Sequence, residues 1–138
     1  MKKLWIGVVS SVLVLCLFSV ASAGPAIGGT WKGKVKKVTA TKCAQADVTL
    51  SLTQCTGTNL VRGLLSIGAT STSVVGRIES NNVVSVSGSD INGTSYTSVS
   101  LFGTYTAGAP ATILVDTVYI YTSSSPDQEF DVFTLTKQ

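Results

Sequence analysis

From about residue 30 onward, apolar and polar residues alternate with a period of two, and turn-forming residues interrupt the alternation at short intervals. The alternating runs are rich in Val, Ile, Thr and Tyr, which is typical of β-strands, and no segment has the periodicity of a helix. The pattern predicts eight strands, at residues 30–39, 46–55, 60–67, 73–80, 82–89, 95–106, 112–123 and 129–136.

The connections between these runs carry Gly, Pro, Asn, Asp or Ser and are too short to hold crossover helices. Neighbouring strands should therefore pair antiparallel, as a meander. Closing such a sheet removes its exposed edges. The fold class that we expect is an all-β, single-domain, eight-stranded antiparallel up-and-down barrel, formed after removal of a signal peptide.

The first 23 residues have the pattern of a bacterial signal peptide. Lys2 and Lys3 precede an apolar run, and Ala21-Ser22-Ala23 supplies the small residues of a cleavage site. The alternative is a membrane anchor, but the uninterrupted apolar stretch is shorter than the ~20 residues that a spanning helix needs. We therefore expect a signal peptide at 1–23, one barrel domain at 24–138, no membrane span after cleavage, and a secreted or periplasmic protein.

Cys43 and Cys55 are the only cysteines that remain after cleavage, and in an exported chain two cysteines most simply form a disulfide. Such a bond would add about 3 kcal/mol on the chain-entropy model. We expect no metal or other cofactor, because the chain has no histidine. The acidic residues Asp127, Glu129 and Asp131 are interpreted as an acidic turn rather than a calcium loop.

Lysines dominate the start of the mature chain, yet its total charge is close to zero. Lys2 and Lys3 leave with the signal peptide, so eight basic residues face seven acidic ones. This balance gives no electrostatic basis for binding nucleic acid. Lys32, Lys34 and Lys36 share the outer face of the first strand. A lipid-exposed face would not accept them, so the pattern favours a soluble barrel over a membrane barrel.

The strand at residues 113–121 is apolar on both faces. One face would carry Ile113, Val115, Tyr119 and Tyr121, and the other Leu114, Val118 and Ile120. The second face would need a cover, and a two-fold partner presenting the same strand is the simplest one. We therefore expect a homo-oligomer through this strand, with Asp116 on the outer face, paired with Arg62 or Arg77 or placed at the rim.

Four short segments resemble the matching strands of avidin-type and lipocalin-like small barrels. They are Gly29-Thr30-Trp31, Gly103-Thr104-Tyr105, the run from Gly108 to Ile113, and the run from Phe133 to Lys137. The resemblance covers about half of the mature chain and implies a small secreted barrel. It does not imply biotin binding, because Gly33, Leu101, Thr117 and Phe133 stand where avidins place ligand-binding residues.

No residue pattern indicates catalysis: there is no histidine, no nucleophile paired with a base and no phosphate loop, so we expect a protein that is not an enzyme. One hypothesis is a small apolar ligand held in the barrel mouth against Trp31, Tyr105, Tyr119 and Phe133. The other is a lumen filled by side chains, in a cell-envelope or extracellular assembly subunit. Gly33, Gly76 and Gly103 would leave room for a ligand if they face inward, and the resemblance favours the first hypothesis slightly.

Overall fold

The protein is described by a computed structural model over residues 24–39, 41–92, 95–123 and 128–138, and all regular secondary structure in these ranges is β-strand. Two predicted strands, 60–67 and 95–106, have the observed bounds, and the others differ by a few residues at their ends. The strands are β1 (Gly29–Thr39), β2 (Lys42–Gln54), β3 (Leu60–Ile67), β4 (Thr70–Ile78), β5 (Val83–Asn92), β6 (Ser95–Thr106), β7 (Thr112–Thr122), β8 (Gln128–Phe130) and β9 (Phe133–Lys137).

The strands form a closed antiparallel barrel with eight positions, which confirms the predicted fold class. Each strand from β1 to β6 pairs with the next along the chain, and β9 pairs with both β7 and β1. Strands β8 and β9 are two halves of the eighth position. β8 pairs with β1 at Lys37–Thr39, and β9 pairs with it at Trp31 and Lys32.

Side chains fill the interior of the barrel. The alternation places one face of every long strand inside, and residues from all around the barrel have almost no contact with solvent. A residue with zero exposure has no water-sized space beside it, so the lumen around it is packed. The largest of these fully buried side chains are Trp31, Ile27, Leu50, Ile78, Leu101, Ile113 and Leu135.

The inward-facing glycines do not leave room for a ligand, contrary to the expectation for Gly33, Gly76 and Gly103. A β-carbon on Gly76 would lie 1.9 Å from the carbonyl oxygen of Ser85 on the adjacent strand. The corresponding distance is 2.4 Å at Gly33 and 2.6 Å at Gly103, again to a backbone carbonyl oxygen of the neighbouring strand. These glycines instead allow the strands to bend closely around a narrow barrel.

A β-bulge at Asp116 changes which residues of β7 face inward. Phe102 on β6 pairs with Thr117 and Gly103 pairs with Val115, so Asp116 is the extra residue. Beyond it the alternation is shifted by one residue. Val118 and Ile120 are therefore buried, and their predicted outward position is wrong.

The close approach at Gly76 predicts a large steric effect. Gly76→Ala should lower the free energy of unfolding by about 1–3 kcal/mol, because the new methyl group meets backbone that cannot move aside cheaply. Gly28→Ala is the matched control, since the nearest atom to its new methyl group would be 3.6 Å away. Urea unfolding of both variants measures the difference, and equal stability would contradict this account of the barrel.

Candidate functional site

Trp31 lies at the closed end of the barrel, where it is 0 % exposed. Its indole Nε1 donates a hydrogen bond to the carbonyl oxygen of Ile27 at 2.9 Å. The ring meets Tyr105 edge to face, with centroids 6.1 Å apart, and Lys137 Nζ lies 5.5 Å from the ring centroid. The indole N–H is therefore hydrogen-bonded and the ring is packed against Tyr105 and Lys137, so Trp31 closes this end of the barrel.

The segment before β1 seals this end. The backbone N–H of Gly24 donates to Asn59 Oδ1, and that of Ile27 donates to Gln54 Oε1 at 2.9 Å. The Ile27 side chain is fully buried. A small molecule could reach Trp31 from this side only if the segment moved away.

The four residues predicted to bind a ligand do not line one cavity. Trp31 and Tyr105 touch each other at the sealed end. Phe133 is buried within the lumen, where it pairs with Val115. Tyr119 lies on the outer surface and is 66 % exposed, because the bulge at Asp116 reverses the expected alternation. Ligand binding by these residues stays a prediction, but they cannot form a single site in this arrangement.

A cleft of about 600 Å³ lies towards the opposite end, beside the β1–β2 hairpin. Lys36 and Lys37 of β1 and the acidic residues Glu129 and Asp131 give it charges of both signs, and Phe130 is half-buried in its wall. The remaining lining residues are Val38, Cys43, Ala44 and Gln45.

Sequence reasoning missed this cleft, because it interpreted the lysines as a solvated face and the acidic residues as an isolated turn. Only the pairing of β8 with Lys37–Thr39 brings the two groups together. The sequence contains one signal for the cleft: a short basic segment near the start of the mature chain and a short acidic segment near its end.

The predicted disulfide between Cys43 and Cys55 is wrong, since both thiols are free and exposed. Cys43 lies near the start of β2, and Cys55 follows its last residue. An extended strand of this length separates their Cα atoms by roughly 40 Å, whereas a disulfide requires less than about 7 Å. The prediction rested on the number of cysteines in an exported chain and did not consider the extended strand that holds them apart.

The described ranges contain no group of three or more His, Cys, Asp or Glu residues that could hold a metal ion. They also contain no helix of the length and hydropathy that crossing a membrane requires. Asp116 is exposed at the bulge, in agreement with its predicted outer position. The cleft beside the β1–β2 hairpin offers charges of both signs and the aromatic surface of Phe130.

The packing at the closed end predicts a strong dependence of stability on Trp31. Trp31→Ala should lower the free energy of unfolding by about 3–5 kcal/mol, because it opens a cavity in a sealed region. Tyr119→Ala removes an exposed aromatic residue and should change stability by less than about 0.5 kcal/mol. Chemical unfolding compares the two. If Trp31→Ala does not fold, Trp31→Phe should show an intermediate loss, and a loss no larger than that of Tyr119→Ala would contradict the assignment.

The free thiols predict that monomeric protein reacts at both cysteines without prior reduction. A maleimide reagent should add two labels to the native monomer, one at Cys43 and one at Cys55, because both are exposed. Peptide mapping by mass spectrometry locates the labels. A monomer that is unlabelled and two hydrogens lighter than its sequence would show an internal disulfide instead.

Comparison with known proteins assigns no family to this chain. A scan against protein-family models and a search of curated proteins both found no match to this chain. The eight-stranded antiparallel barrel is consistent with an avidin-like or lipocalin-like fold at a coarse level. This agreement concerns architecture and carries no activity with it.

Proposed function

We propose that the protein is an exported, non-enzymatic β-barrel that acts through its outer surface as a subunit of a cell-envelope or extracellular assembly. One observation carries the proposal: the lumen is filled by side chains that solvent does not reach. Eight-stranded barrels are narrow enough either to be filled in this way or to hold one small ligand. A lumen filled by side chains supports a protein that acts through its outer surface.

Opening the lumen for a ligand would be costly. Leu50, Leu101 and Leu135 are each fully buried, and re-exposing such side chains costs about 1.5–3 kcal/mol apiece. A deep ligand would have to displace several of them. The outer surface, by contrast, carries exposed large apolar residues, and those that adjoin one another across strands, as Leu64 and Val75 do, are typical of interaction surfaces.

The export part of the proposal is supported by the leader pattern at residues 1–23. Cleavage after Ala23 would make Gly24 the first residue, and Gly24 already contacts Asn59 at the closed end of the barrel. The mature N-terminus would then form part of this closed end.

The cleft favours a second candidate function, the binding of a small ligand at the barrel mouth. Its volume of about 600 Å³ lies in the range of small-molecule sites. Phe130 offers an apolar surface, and the lysines and carboxylates around it offer polar contacts. Such a ligand would bind near the surface and leave the packed lumen unchanged.

Native mass spectrometry of protein purified from its own source distinguishes the two candidates. The surface-acting subunit predicts a chain beginning at Gly24, no stoichiometric small molecule, and masses above that of one chain. Titration with the apolar fluorophore N-phenyl-1-naphthylamine should show no saturable binding with a Kd below roughly 10 μM, which corresponds to a binding free energy of about −7 kcal/mol.

A retained small molecule, or saturable probe binding that Phe130→Ala abolishes, would overturn the surface-acting proposal in favour of the mouth site. Ile91→Ala is the matched control, because Ile91 is exposed on β5, outside the cleft. Binding lost equally in both variants would indicate general destabilisation, which unfolding measurements on the same samples detect.

A further inference from the structure

Two separate parts of the outer surface combine exposed apolar side chains with charge. We call them the arginine face and the aspartate face. The arginine face, on β3 and β4, consists of Leu60, Arg62, Leu64, Val75 and Arg77. The aspartate face, on β6 and β7, consists of Phe102, Leu114, Asp116, Tyr119 and Tyr121.

The arginine face is contiguous. Arg62 pairs directly with Val75, and Leu60 pairs with Arg77 on the same surface. Leu64 lies two residues further along β3, so its side chain is on the same face, diagonal to Val75. All three apolar residues are exposed, with Val75 at 66 %.

The aspartate face is organised around the bulge. Asp116 is the unpaired residue of the bulge and lies between Leu114 and Tyr119 along β7. Phe102 pairs with Thr117 next to it and is 41 % exposed. The bulge therefore places one carboxylate within a surface of exposed aromatic and aliphatic side chains.

The charges of the two faces are complementary. Within the described part of the chain neither Arg62 nor Asp116 forms an ion pair, whereas Arg77 lies 3.5 Å from Glu79. Arginine also stacks on aromatic rings, and the aspartate face offers Tyr119 and Phe102. Apolar contact supplies burial, and the opposite charges supply orientation.

The positions of the faces decide how copies can associate. Strand β5 lies between the two faces, and their centres are three of the eight strand positions apart, so one copy can present each face to a different neighbour. Joining two like faces would oppose Arg62 to arginine or Asp116 to Asp116, and like charges at an interface are unfavourable. A contact between unlike faces is heterologous and repeats from copy to copy.

We infer that the protein self-associates head to tail, with the arginine face of one copy against the aspartate face of the next. This inference rests on the proposed function as an assembly subunit and names its partner, a second copy of this chain. It replaces the two-fold contact through residues 113–121, because Val118 and Ile120 face the lumen and only the outward residues of β7 remain for an interface.

Charge reversal tests the inference on the mature chain. Sedimentation velocity at low salt should show a concentration-dependent series of species for the unaltered protein. Arg62→Asp and Asp116→Arg should each weaken self-association about tenfold or more, which corresponds to about 1.4 kcal/mol. The double variant R62D/D116R should restore it, because it exchanges the two charges across the same contact.

Lys32→Asp is the charge-matched control, since Lys32 is exposed on β1 and belongs to neither face. It should leave the series unchanged. An equimolar mixture of the two single variants should regain the series as alternating copies, because one contact keeps the original charges and the next has them exchanged, as in the double variant.

Three results would overturn the inference. The first is a protein that stays monomeric at about 100 μM, and the second is a closed two-fold dimer. The third is a series that the Arg62→Asp, Asp116→Arg and Lys32→Asp variants all weaken equally. A two-fold dimer would leave the proposed function as an assembly subunit in place. A tightly retained small molecule in native mass spectrometry would instead overturn the proposed function itself, so the two failures are distinguishable.

Discussion

Strand β1 forms hydrogen-bonded ladders on both of its sides, and the rest of the structure depends on the closure that results. It pairs with β2 along its whole length and with β8 and β9 on its other side. Closure at eight positions fixes the width of the lumen to about the size of the side chains that line it. The glycines then allow close strand approach, and Trp31, held by Ile27 and Tyr105, seals one end.

Because the interior is filled, the side chains that can contact other molecules lie on the surface. The lumen carries aliphatic and aromatic side chains, with Thr72 as its one buried polar residue among those that the structure describes, and Thr72 Oγ1 has no hydrogen-bond partner there. The surface is chemically varied. Lysines line the outer face of β1, the cleft combines both charges, and the arginine and aspartate faces add apolar area. The proposed role as an assembly subunit would use this surface without requiring any change in the core.

The sequence predicts most of the fold, because alternation and turn residues are local signals. It does not predict the site equally well, because three decisive features are not local. The bulge at Asp116 shifts the alternation by one residue, so Tyr119 was assigned inward and Val118 outward. The polar start of β2 resembles a turn until it pairs with β1, and the disulfide inferred from the number of cysteines is excluded by the long strand that results. The cleft exists only where β8 meets β1.

Tryptophan fluorescence tests the filled and sealed barrel most directly. Trp5 lies in the proposed leader, so a chain cleaved after Ala23 would contain only Trp31. A filled barrel predicts blue-shifted emission from this indole and slow quenching by acrylamide, both unchanged when an apolar probe is added. Emission like that of hydrated indole, with quenching as fast as that of a free tryptophan, would show that solvent reaches the lumen and would contradict the account.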